Sequence, residues 1–141
     1  MQFSINQMLA LAAITVSMVS AVPVTSVVEN PALERRSMTG RGTYYNQFGG
    51  FGSCGQQLPD SAFIVALSRA YRDVGQLNCG KRIWARALDG PGRGNRIEAT
   101  VRDTCPSCAR DAVDFSVGAF DALTNNQKDV GVIRMEWDFI N

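Results

Sequence analysis

Residues 101–123 read VRDTCPSCARDAVDFSVGAFDAL, and the order of their parts decides the architecture. The run just before and into them, 96–102 RIEATVR, alternates with Ile97, Ala99 and Val101 on one face, the period-two pattern of a strand that leads into Asp103. A turn tied by Cys105 and Cys108 follows, then the triplet Asp114-Phe115-Ser116, then 117–123 VGAFDAL, a short helix with Ser116 as its candidate N-cap. Working outward, Ile133, Met135, Trp137 and Phe139 alternate with Arg134, Glu136 and Asp138 in a last strand whose Trp137 belongs to the core. Residues 42–46, 63–68 and 81–88 are further strand candidates, and the apolar 63–67 FIVAL reads as a fully buried strand or a brief helical turn. Turn-rich segments separate them at 47–60, 71–78 and 90–95. The last, GPGRGN, matches no phosphate-binding fingerprint and is read as a hairpin connection. Five or six short strands with one or two short helices predict a mainly β, small closed barrel, and closure hides the strand edges.

The first 36 residues stand apart from this pattern. Residues 8–19 form an apolar run too short to span a bilayer, followed by Val19-Ser20-Ala21, the small-residue signature of signal-peptide cleavage. Residues 1–21 are therefore expected to be a signal peptide, and the protein to be secreted. Residues 22–36, VPVTSVVENPALERR, end in the dibasic pair Arg35-Arg36 and are either a propeptide or a disordered arm. The folded domain is expected to span 37–141.

Its 105 residues suffice for one modest core. With Arg35 and Arg36 set aside it has 12 Lys and Arg, against 11 Asp and Glu once Glu29 and Glu34 are set aside. That near balance points away from nucleic acid and anionic membranes, toward an uncharged polymer or a protein. In a secreted chain the four cysteines are expected to form disulfides. Of the three pairings we favour Cys54 with Cys79 and Cys105 with Cys108. The first closes a loop worth about 3 kcal/mol, and the second only fixes a turn. A four-cysteine zinc site would ordinarily use two CxxC pairs, and 105–108 is the single one here. No metal or cofactor is expected, and the protein is expected to be a monomer.

Taken in order, GTYYN, GSCG, VALS, CGKRI, the DTCPSC turn and VDFS resemble the double-psi β-barrel proteins of the RlpA-like, expansin and barwin group, most closely its short fungal single-domain members. The resemblance covers nearly all of 37–141 and implies a six-stranded double-psi β-barrel with an open groove across one face. It also implies that Asp114 matches the groove aspartate that serves as general acid in sugar-cleaving relatives. The alternative role for Asp114 is to cap the turn before the helix. In the related endoglucanases the motif at the tyrosine pair supplies a catalytic base, and here that position is Asn46, an amide that takes no proton from water. Asp103 matches a position that braces the groove, and Asp111 falls on an exposed turn. The RlpA-like enzymes cleave peptidoglycan without such a base, which leaves a lytic activity open, but they have a groove histidine and this chain has none.

Two functions follow from the resemblance. The first is non-hydrolytic, expansin-like binding of cell-wall polysaccharide or its fragments, with Tyr44, Tyr45, Asn46, Asp103 and Asp114 as groove residues. Alternation forbids both tyrosines from pointing inward, and Trp84 is expected on the barrel exterior. The rival is inhibition of papain-like cysteine proteases, or action on a host protein as a secreted effector, through the loops 47–60 and 90–95.

Overall fold

The computed structural model describes residues 37–71 and 78–141; the expected signal peptide, the 22–36 segment and most of the 71–78 excursion lie outside them. Six strands close into a barrel: β1 (Met38–Tyr45), β2 (Ile64–Ser68), β3 (Arg82–Ala87), β4 (Arg96–Cys105), β5 (Val113–Ser116) and β6 (Ile133–Phe139), in the ring order β1-β5-β2-β4-β3-β6. β1 runs parallel to β5 and β2 parallel to β4, while the other neighbours are antiparallel. One α-helix, α1 (Val117–Leu123), and two 3-10 turns complete the described fold. This is the mainly β, six-stranded closed architecture expected from the sequence.

The Asp-Phe-Ser triplet is itself strand: β5 is only four residues long, yet it bonds to β1 on one edge and to β2 on the other. Four residues are too few for a period to show in the sequence. At its end Ser116 does two jobs. Its Oγ accepts from the Ala119 N–H at 3.4 Å as the N-cap of α1, and donates to the Ala62 carbonyl at 2.5 Å. The cap role considered for Asp114 therefore falls to Ser116.

Val65, Val101, Val113, Phe115, Ile83, Met135 and Trp137 fill the barrel, and Phe120 and Leu123 of α1 plug one end. The apolar 64–67 segment is buried throughout: Val65 and Leu67 belong to the core cluster, and Ile64 and Ala66 are buried on the other face. Trp137 is wholly buried, and its indole N–H donates to the Asp111 carbonyl at 2.9 Å. Gly40 is obligatory there, since a Cβ at this position would stand 2.0 Å from the same Asp111 oxygen.

β4 departs from the expected strand. It runs on to Cys105 instead of ending near Arg102, and its register against β2 slips between Val65 and Ala66: Val65 pairs with Val101, Ala66 with Asp103. Arg102 is the extra residue. Strict alternation from Ile97 through Val101 would turn Asp103 inward; the bulge reverses the phase and puts Asp103 on the face of Ala66.

Cys54 bonds to Cys79 and Cys105 to Cys108, which uses all four cysteines and leaves no thiol to bind zinc. Thiol titration of the native protein should find no free thiol. The pair substitution Cys54→Ala with Cys79→Ala should cost about 3 kcal/mol in denaturant unfolding, and Cys105→Ala with Cys108→Ala clearly less, because its loop spans only 3 residues of separation against 25. Equal losses would show that the short bridge stabilises the native turn rather than the chain ends it joins.

Candidate functional site

A row of side chains crosses four strands on the outer face of the barrel. Register pairs Thr43 of β1 with Asp114 of β5, Asp114 with Ala66 of β2, and Ala66 with Asp103 of β4. The two aspartates are thus two strands apart, about 10 Å between backbones, with the methyl of Ala66 between them. A larger residue at 66 would fill that floor. Thr43 Oγ1 donates to Asp114 Oδ1 at 2.7 Å. Tyr45 lies two residues beyond Thr43 on the same face, where the charges of both Asp103 and Asp114 act on its hydroxyl.

Burial raises the Asp114 pKa above the usual carboxylate value; the Thr43 hydrogen bond opposes this and the Asp103 charge adds to it. Tyr45 is pushed above the ordinary phenol range, first by burial and then by the two aspartates, so its hydroxyl stays protonated as a donor. That hydroxyl lies beside Asp103 and the Gln47 amide, which act on it in opposite directions, and the Gln47 amide is itself buried. Asp103 has a different task. Its Oδ1 accepts from the N–H groups of Ser53 at 2.9 Å and Thr104 at 2.8 Å, which fastens the 47–57 loop to β4. Ser53 Oγ to Thr104 Oγ1 (2.9 Å) and Cys54 N–H to the Arg102 carbonyl (3.2 Å) reinforce the same seam.

Of the residues expected in the groove, Tyr45, Asp103 and Asp114 come together. Tyr44 does not: it turns to the other face and packs on Phe120, ring centroids 5.1 Å apart. Asn46 is exposed one residue past β1. Trp84 stands on β3, across the ring from β5, under the Arg96 guanidinium at 5.0 Å. Thr43 and Gln47 join the set without having been singled out. The signal for Thr43 was present, because a strand that exposes Tyr45 exposes Thr43 too. Gln47 gave none, since it sits in a loop. A separate cleft, lined by Met38, Tyr71, Arg110, Asp138 and Phe139 among others, shares no residue with this row.

Chemically the row offers one carboxyl that holds its proton to raised pH, a phenol donor and an amide beside it. Asp103 Oδ1 is taken by two backbone donors.

Because the native chain binds the Asp114 proton more tightly than the unfolded chain, stability falls as pH rises from the ordinary carboxylate range through the raised value, and the loss is complete above it. Asp114→Asn removes the buried charge while its amide oxygen still accepts from Thr43. Thermal unfolding should place this variant at or above wild type at about pH 7, with the gap closing toward about pH 4. A variant less stable than wild type at neutral pH would mean that the carboxylate anion is a net support of the fold.

No model of a known protein family matches the chain. Over 107 residues it is 33% identical to the papain inhibitor of Streptomyces mobaraensis, covering 74% of this chain and 73% of that protein. Among solved structures, the Streptomyces papain inhibitor superposes with a TM-score of 0.65 at 32% identity, over 76% of this chain and 96% of that one. The apo expansin of Clavibacter michiganensis superposes at 0.62 with 26% identity, over 75% of this chain and 51% of the expansin. A D78N variant of the Clavibacter expansin in complex with cellohexaose gives 0.63 at 24% identity, again over 51% of that chain. These neighbours are bacterial, and a fungal origin remains an expectation from the resemblance alone.

Proposed function

Since the chain belongs to the double-psi β-barrel family of the Streptomyces mobaraensis papain inhibitor, with expansin as a more distant relative, we propose that it acts outside the cell as a non-hydrolytic binder of cell-wall polysaccharide through the Thr43-Asp114-Tyr45 groove. The observation that carries this reading is the convergence of residues 71 apart in sequence, Thr43 and Asp114, beside Tyr45 and Gln47. Asp114 and Thr43 are only partly buried, and their carboxyl and hydroxyl offer the hydrogen-bonding groups that sugar hydroxyls, which donate and accept, would meet. Tyr44 drops out of the binding set and Gln47 enters it. Two disulfides in a small domain agree with an oxidising, extracellular setting.

Inhibition of a papain-like cysteine protease is the second reading, favoured by the 33% identity to a papain inhibitor. It places the contact on the loops 47–60 and 90–95 and leaves the groove aside.

Retention on insoluble cellulose, chitin and peptidoglycan tests the first reading. Wild type should be retained on at least one of them and release no reducing ends, while Asp114→Asn and Tyr45→Ala each lower retention at least several-fold with the fold intact by circular dichroism. Reducing ends produced by wild type and abolished by Asp114→Asn would make the protein a hydrolase; unchanged retention in both variants would take the ligand out of this groove.

A further inference from the structure

The segment from Gln47 to Gly50 is a tight turn closed by the Gly50 N–H donating to the Gln47 carbonyl at 2.8 Å, and both of its central residues have positive φ, Phe48 at 49° and Gly49 at 72°. Those are the positions that glycine, asparagine and aspartate dominate, because a Cβ is disfavoured there. Phe48 nevertheless occupies the first of them, and 87% of it is exposed. The phenyl ring therefore satisfies neither the backbone, which asks for a smaller residue, nor the core, which it does not touch. Phe51, 74% exposed, stands three residues on. Such strain in a bulky side chain persists where the surroundings over-determine it.

The surroundings do so here. The Gln57 amide donates to the Gly49 carbonyl at 2.5 Å, and Phe51 bridges Gln57. The Gly52 N–H donates to the Gln56 carbonyl at 3.1 Å, and the Gln47 N–H to Asp60 Oδ1 at 2.6 Å. The loop is then fastened to β4 through Ser53 and Asp103 and locked by the Cys54–Cys79 bridge. The tip is thus preorganised, so little ordering cost is left for binding.

We propose that Phe48, with Phe51 behind it, is the anchor by which this barrel docks into the substrate cleft of a papain-like cysteine protease. The inference rests on the second reading above and is independent of the groove. The shape and chemistry of the tip favour a protein cleft over a polysaccharide. A ring bare on nearly all sides at the apex of a two-residue turn is convex, and a pocket that surrounds it covers far more of it than the single face a sugar ring stacks on.

The test is inhibition of papain against a fluorogenic peptide substrate, with wild type, Phe48→Ala, Phe48→Gly and Phe51→Ala. Wild type is expected to inhibit, Phe48→Ala and Phe48→Gly to raise the inhibition constant at least tenfold, and Phe51→Ala several-fold. Phe48→Gly separates the anchor from the fold, because glycine relieves the positive φ and its Tm should equal or exceed that of wild type. A wild-type protein that leaves papain fully active removes the protease reading and the anchor with it. A wild-type inhibitor whose Phe48→Gly variant inhibits equally well removes the anchor alone. Full inhibition by Phe48→Gly together with lost retention on cellulose would make the tip a sugar contact and overturn the protein docking.

Discussion

The barrel depends on one short strand that is hydrogen bonded along both edges. Val113–Ser116 lies between β1 and β2, parallel to the first and antiparallel to the second, and without it the ring would open at both strands. Its four residues alternate sharply in role: Val113 and Phe115 are wholly buried, Asp114 faces out, and Ser116 turns the chain into the helix. Because β1 and β2 flank it, whatever projects from Asp114 must meet Thr43 on one side and the floor at Ala66 on the other. The row is a consequence of closure.

The second constraint is the bulge in β4. One extra residue, Arg102, turns Asp103 from the core face to the groove face, where its carboxylate accepts two backbone N–H groups. A buried, unpaired aspartate inside this apolar barrel would be costly. Instead the same residue organises the loop that begins at Gln47. Groove and loop tip are thus built from one seam yet present different chemistry: hydrogen-bonding groups at Thr43, Tyr45 and Asp114 in the groove, exposed phenyl rings at the tip. The chain is 33% identical to a papain inhibitor and 26% to an expansin, and the two readings proposed above draw on one relative each.

Length, patterning and punctuation in the sequence determined a good deal. The alternation in 96–101 and 133–139 specified two strands and which of their faces is buried, since a period of two leaves no other arrangement with an apolar core. The serine before VGAFDAL specified the helix start, and the order of the motifs from GTYYN to VDFS specified the barrel topology by resemblance. Asp114 and one of the two tyrosines, Tyr44 or Tyr45, were legible as groove residues by the same resemblance.

What only the tertiary structure decided are the features in which local pattern and global packing disagree. Strand β5 is too short to announce itself and exists because two other strands present open edges to it. Asp103 is turned outward by a register slip against β2, an event between strands that no single strand encodes. Tyr44 looked as eligible for the groove as Tyr45 until the helix supplied Phe120 as its packing partner. Phe48, one of two phenylalanines in a turn-rich loop, shows its positive φ and its exposure once the turn is closed and its ends are fastened. Sequence fixes what each residue prefers by itself; the closed ring determines which preferences are met, because each strand has two neighbours and their register is settled jointly.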